Sequence, residues 1–285
     1  MRRWGLGAAG VLALLCSTAA AQADDAPAGT LRPLWEAGLG VGGLRLPHYR
    51  GADQSHNWLL PVPYFVYRGD ILKADRDGAR ALLFESEHLH FDLSAAASAP
   101  TRSRDNLARQ GMPDLAPTLE VGPNLNWTWG RGRLGASRSD WKLDLRVPVR
   151  AAVTLESRPK HIGWSSTPHL NLDVGHASGW NMGLQAGPVW GDRSLNDHFY
   201  GVSPALATAT RGAYAAPGGW GGWQSTAALS RRFPRHWVGM YVRLDSLQGA
   251  RFTDSPLVRQ RQHLSVGIAT SWVLSTSDRL VPTAD

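Results

Sequence analysis

Cysteine is all but missing from this chain: the one cysteine in 285 residues is Cys16, inside an N-terminal leader. That leader reads Arg2 and Arg3, an apolar stretch through Leu15, then small residues ending Ala21-Gln22-Ala23, which is the pattern of a secretory signal cleaved after Ala23. Leu15 occupies the place where a lipoprotein signal needs a small residue, so Cys16 is read as part of a plain cleaved leader. The expected mature chain, residues 24–285, has 262 residues and no cysteine, which excludes disulfides and cysteine-ligated metals. Lysine is also scarce: only Lys73, Lys142 and Lys160 occur, and the positive charge is carried by dispersed arginine. Loss of Arg2 and Arg3 lowers the formal charge from +7 to +5. A nucleic-acid binder concentrates its basic residues on one face or stripe, and this exported chain does not. Arginines in outer loops suit bidentate contact with lipopolysaccharide phosphates. Long apolar runs are absent too, with no stretch of about 18 residues, so no helix is expected to span a membrane. A membrane protein of this composition has to be a closed β-barrel, which satisfies every backbone group without helices.

What is present is alternation. Residues 141–153 read WKLDLRVPVRAAV, where Trp141, Leu143, Leu145, Val147, Val149 and Val153 share one face. Lys142, Asp144, Arg146, Pro148 and Arg150 share the other. Period two argues for a strand with unlike faces. In a soluble sandwich the apolar face would meet a core, and in an outer-membrane barrel it would meet lipid. Thirteen residues extend about 43 Å, and a 45° tilt reduces this to about 30 Å, a bilayer thickness.

The pattern recurs, giving about twelve strands in a range of ten to fourteen: 35–43, 58–68, 70–76, 79–85, 87–97, 117–129, 141–153, 164–174, 180–190, 222–231, 237–247 and 263–274. A hairpin turn is expected at Asp77-Gly78, and 198–212 has room for a further strand pair. An even count leaves both termini periplasmic and puts the long connections 44–57, 98–116, 191–221 and 248–262 on the outer side. Tryptophan supports the same reading. Trp35, Trp58, Trp141, Trp164, Trp180, Trp223 and Trp237 begin strands, and Trp127, Trp129, Trp190 and Trp272 close them, as interfacial girdles do. The expected organisation is a signal at 1–23, a periplasmic lead at 24–34, a barrel at 35–274 and a tail at 275–285. The fold class is all-β, a single antiparallel transmembrane barrel.

Candidate chemistry is sparse. Gly38, Gly40 and Gly43 match G-x-G-x-x-G, but no helix opens after them as a dinucleotide site requires. His88, His90 and Asp92 lie on one face of one strand and form a weak candidate for a divalent metal. No G-x-S-x-G elbow occurs, and Gly175-His176-Ala177-Ser178-Gly179 has the wrong spacing, so no enzyme and no cofactor are expected. Glu120, Lys142, Asp144, Arg146, Arg150 and His169 are expected to line the lumen, either as a charged channel or as a self-neutralising plug.

Several stretches resemble the MipA/OmpV family of Gram-negative outer-membrane proteins. They are Leu46-Pro47-His48-Tyr49-Arg50-Gly51-Ala52-Asp53, Leu60-Pro61-Val62-Pro63-Tyr64-Phe65-Val66-Tyr67-Arg68-Gly69-Asp70, Phe199-Tyr200-Gly201-Val202-Ser203-Pro204 and Asp254-Ser255-Pro256-Leu257-Val258. Pro47, Tyr49 and Gly51 also suit a tight outer loop, and Asp254-Ser255-Pro256 a turn. The resemblance implies the cell outer membrane and a scaffold that brings a lytic transglycosylase and a murein synthase together for peptidoglycan growth. A channel, or an adhesin using loops 98–116 and 191–221, are the alternatives. In one departure, the last strand ends Trp272-Val273-Leu274 and is followed by eleven residues instead of stopping at an aromatic.

Overall fold

The alternation read at 141–153 lies within a longer strand, Ser139–Thr154, whose even side chains turn inward and odd ones outward. Asp144 is 1% exposed and Val149 43%. A computed structural model describes residues 31–68, 72–75, 78–81, 84–85, 88–135 and 139–282. The signal peptide with its cleavage site, the turn position Asp77 and the connections at 69 and 86 lie outside the described residues.

In chain order the strands are β1 (Leu31–Pro33), β2 (Trp35–Pro47), β3 (Ser55–Arg68), β4 (Leu72–Asp75), β5 (Gly78–Ala81), β6 (Phe84–Glu85), β7 (Leu89–Ser98) and β8 (Thr118–Arg133). They continue as β9 (Ser139–Thr154), β10 (His161–Ser166), β11 (His169–His176), β12 (Trp180–Gly191), β13 (Gly219–Arg232), β14 (His236–Ser246), β15 (Gln262–Thr276) and β16 (Leu280–Pro282), with one helix, α1 (Arg193–Tyr200), between β12 and β13. Neighbours pair antiparallel from β5 through β4, β3, β2, β15, β14, β13, β12, β10–β11, β9, β8 and β7 to β6. First and last barrel strands, β2 and β15, are zipped together from Arg45↔Val266 to Glu36↔Thr276. The two ends of this sheet, β5 and β6, follow one another in the chain; β5 pairs with β4 and β6 with β7. Among the described residues, counting β5 with β6, and β10 with β11, as one strand each gives the expected twelve. Among the described residues no helix is long and apolar enough to cross a membrane.

Departures from expectation have local causes. The strand expected at 164–174 is two strands broken at Thr167-Pro168, where Pro168 has no N–H to donate to the ladder. The stretch 198–212 holds no extra strand pair. It carries the end of α1 and a short 3-10 turn, Pro204–Leu206. Asp192 caps α1, its carboxylate accepting from Leu195 N at 2.8 Å. The lead and the tail are joined, since β1 pairs with β16 through Arg32↔Val281. Leu34 N donates to Arg279 O and Ser277 N to Trp35 O, so this ribbon continues the β2–β15 seam beyond the barrel rim. The non-aromatic tail therefore has a structural destination.

Two of the eleven girdle tryptophans do not belong to a girdle. Trp237 has the inward parity of Tyr241 and Asp245 and is buried, its ring lying flat over Gly239, where any side chain would collide with it. Trp58 pairs with inward Leu44 and packs in the same interior cluster with Leu60 and Tyr241. The other nine face outward in two belts. Trp35, Trp127, Trp129, Trp141, Trp180 and Trp272 lie toward the end with the chain termini, and Trp164, Trp190 and Trp223 toward the opposite end. Trp180 and Trp190 stand ten residues apart on β12. At about 3.3 Å per residue and a tilt near 40° the belts are about 25 Å apart, the height of an apolar membrane band.

Candidate functional site

Two constructions occupy the inside of the barrel and its outer mouth. The first is the inner wall on β7 to β12. Asp144 accepts from Thr128 Oγ1 at 2.9 Å and pairs with Lys142 at 3.2 Å and Arg146 at 3.4 Å. Arg146 reaches on to Asp173 at 3.6 Å, and Asp173 accepts from Asn171 Nδ2 at 2.6 Å. Gln185 donates to Asn171 Oδ1 from the next strand. Arg150 donates to Ser94 Oγ through Nε and Nη2, at 2.9 and 2.6 Å, and to Thr167 Oγ1 at 3.1 Å. Ser165 Oγ donates to Glu120, and His169 Nδ1 lies 2.7 Å from Thr167 O. The structure thus places Glu120, Lys142, Asp144, Arg146, Arg150 and His169 on one wall and engages each with a neighbour. Inward Arg232 similarly meets Glu36 and Tyr64 on the opposite wall.

Asp92, from the weak metal candidate, has both carboxylate oxygens occupied by amides, Asn124 Nδ2 at 3.0 Å and Asn126 Nδ2 at 2.8 Å. Among the described residues no group of three His, Cys, Asp or Glu side chains is arranged to hold a metal, so His88, His90 and Asp92 do not converge on an ion.

The second construction is a cap. The long connections 48–54, 99–117, 192–218 and 247–261 fold together at the outer mouth around one apolar core: Tyr49, Leu115, Tyr200, Val202, Phe252 and Leu257, among others. Tyr200 and Phe252 stack with centroids 3.8 Å apart. Residues singled out from three distant motifs meet here. Tyr49 Oη donates to Leu257 O at 2.8 Å, and Ser255 Oγ to Tyr200 O at 2.7 Å. Gly51, at φ 105°, has a backbone that glycine adopts without strain, and its carbonyl accepts from Arg259 N and Gln260 N. Gly201 caps α1 by donating to Asp197 O, Pro47 closes β2 and Pro256 lies in the turn with exposed Asp254.

Sequence reasoning missed the cations inside this cap. Arg109 is 3% exposed and donates to Phe199 O, Pro113 O and Ser103 Oγ. Arg211 donates to Ala108 O, Gln110 O and Leu206 O. Each guanidinium thereby gathers backbone from more than one segment of the cap. Below, the cap is locked to the barrel: Arg50 Nε meets Asp245 of β14 at 2.8 Å, and Gly51 N donates to His263 Nε2 of β15 at 2.9 Å. Burial pushes the Tyr49 phenol up to about 12, with Arg109 pulling the other way, and pushes Tyr200 above its ordinary range. Burial also lowers the Arg109 guanidinium and His198 from their usual values. The available signal was a set of apolar residues in the loops (Met112, Leu115, Phe252, Leu257) that follows no strand period.

The family profile of MltA-interacting protein MipA matches residues 39–274. Comparison with curated protein sequences finds no significant match. Among solved structures, an outer membrane channel from Pseudomonas putida F1 is similar at 13% identity and a TM-score of 0.45, over 89% of this chain and 100% of that one. Outer membrane phospholipase A from Escherichia coli is similar at 13% identity and a TM-score of 0.34, over 90% and 96%. The Pseudomonas putida toluene transporter TodX is similar at 9% identity and a TM-score of 0.27, over 91% and 69%.

Proposed function

Because the chain belongs to the MltA-interacting protein MipA family, we propose that this Gram-negative outer-membrane barrel is a scaffold of the cell envelope, closed to solutes, that brings a lytic transglycosylase and a murein synthase together at its periplasmic end. The cap carries this reading. A conducting lumen needs a wet outer mouth, whereas here the outer loops bury Leu247, Phe252 and Leu257 almost completely and are bolted to the wall through Arg50–Asp245. The wall beneath supports it, since Lys142, Asp144, Arg146 and Asp173 satisfy one another instead of presenting one sign of charge to a permeant ion. No catalytic step is assigned. The periplasmic contact surface includes the β1–β16 ribbon, which extends beyond the short strand turns. The lipid around the outward belts and the lipopolysaccharide at the outer rim are its other neighbours.

Two measurements test this. Purified barrel in planar bilayers is expected to give no defined conductance steps, and regular steps would replace the scaffold with the channel reading. Photo-crosslinkers at Leu31 and Leu280, both exposed, are expected to capture a murein hydrolase or synthase in intact cells. Recovery of neither would refute the scaffold.

A further inference from the structure

On the outward wall of β12 and β13, an arginine and an apolar hollow are one acyl chain apart. Arg231 has the outward parity of its register partners Trp180 and Val238, and it stands at the periplasmic rim. Its guanidinium lies 5.5 Å from the Trp180 ring and 4.7 Å from the Phe233 ring. Among the described residues no carboxylate pairs with it. Stacking on ring faces holds a guanidinium by its plane and leaves its in-plane N–H edge free, the arrangement that takes a phosphate bidentately.

Along the same face of β13 follow Leu229, Ala227 and Ser225. Ala227 and Ser225, with Ala186 of β12, floor a hollow of about 450 Å³ walled by Leu143, Leu172 and Leu184. Ser225 is six residues from Arg231, which is about 20 Å along the strand, and about 15 Å in depth at a 40° tilt. That depth is half of a hydrocarbon core of about 30 Å. A lipid whose phosphate sits at the rim therefore ends its acyl chain in the hollow. The solvent of this surface is hydrocarbon, so a concavity here is filled by an acyl chain.

We propose that the β12–β13 wall is a binding site for one phospholipid of the periplasmic leaflet. Arg231 takes its phosphate between Trp180 and Phe233, and the hollow over Ala186, Ser225 and Ala227 receives one acyl chain. This site is independent of the scaffold reading.

The test is titration of the delipidated full-length mature barrel in detergent with palmitoyl-oleoyl phosphatidylglycerol, read by native mass spectrometry. Wild type is expected to hold one lipid through the steps that strip annular lipid. Arg231→Gln and the hollow-filling Ala227→Leu are each expected to weaken retention about tenfold, the equivalent of one lost charge-assisted contact. Arg259→Gln, on an outer loop, is expected to leave it unchanged. Heat-modifiable migration verifies folding, and if Ala227→Leu does not fold, Arg231→Gln decides alone. The site is overturned by equal retention in the Arg231→Gln barrel, by preference for purified lipid A over phosphatidylglycerol, or by Ala227→Leu altering oligomeric state instead of lipid occupancy.

Discussion

The molecule has two interiors that solve burial in opposite ways. Inside the cap the filling is apolar, and the buried cations Arg109 and Arg211 are held by backbone carbonyl oxygens and, for Arg109, the Ser103 hydroxyl. Inside the barrel most of the filling is polar, apart from the cluster of Leu44, Trp58, Leu60 and Tyr241, and Arg146, Lys142 and Arg232 are held by carboxylates. The cap is surrounded by water, so its apolar residues collapse inward. The barrel is surrounded by lipid, so most of its apolar residues face outward and the polar ones must satisfy each other within. Damage to the cap is therefore expected to remain in the cap, while damage to the wall reaches the whole barrel.

The largest expected effect falls on the wall. Asp144→Ala leaves Lys142 without its carboxylate and Arg146 with Asp173 alone, and it removes the acceptor of Thr128. It is expected to cost about 3–5 kcal/mol, as when one partner of a buried ion pair is removed. The urea midpoint of the heat-modifiable form measures it, and an unchanged midpoint would mean that water already satisfies those cations. In the cap, Phe252→Ala removes the ring stacked on Tyr200 and is expected to cost about 3 kcal/mol. Here the outer loops become open to protease, the barrel keeps its heat-modifiable migration, and conductance steps appear. Joint failure of cap and barrel would break the distinction between the two interiors.

A smaller effect comes from pH. Tyr49 titrates at about 12 in the folded cap against 10.0 for an ordinary phenol. Since the folded value is raised, its contribution is fully present below pH 10 and is lost as pH rises toward 12. Protease resistance of the outer loops is expected to hold to about pH 10 and then decline. Tyr49→Phe loses the bond to Leu257 O, costs about 1 kcal/mol at neutral pH, and flattens that decline.

The wall was legible in the sequence and the cap was not, for a physical reason. Alternation on β9 is a local consequence of strand geometry, so Asp144 and Val149 announce their faces within a few residues. Strand number and the nine outward tryptophans follow from the same periodicity. Trp58 and Trp237 escaped because their direction is decided by partners on other strands, Leu44 and the flat surface at Gly239. The cap joins residues near 50, 109, 200 and 255, separations at which no period exists. Tyr49, Gly51, Tyr200 and Ser255 could be marked as motif residues, but nothing local tells that they touch. Pro168 alone was enough to predict a break in its strand, and the alternation on either side concealed it.

The tail gives the smallest effect and bears on the periplasmic end, where neither interior reaches. β16 adds three register pairs with β1 beyond the β2–β15 seam. Exposed pairing of this length is worth about 0.2–1 kcal/mol per side-chain pair at most. Truncation after Thr276 is therefore expected to leave the urea midpoint of the barrel within error, because the seam from Arg45↔Val266 to Glu36↔Thr276 survives intact. If the ribbon serves as a periplasmic contact surface, the same truncation abolishes crosslinking from Leu31 to a murein enzyme while the cap still resists protease. A truncated barrel that kept the crosslink would move that contact surface to the strand turns, and one that lost its fold would make the ribbon a part of barrel closure.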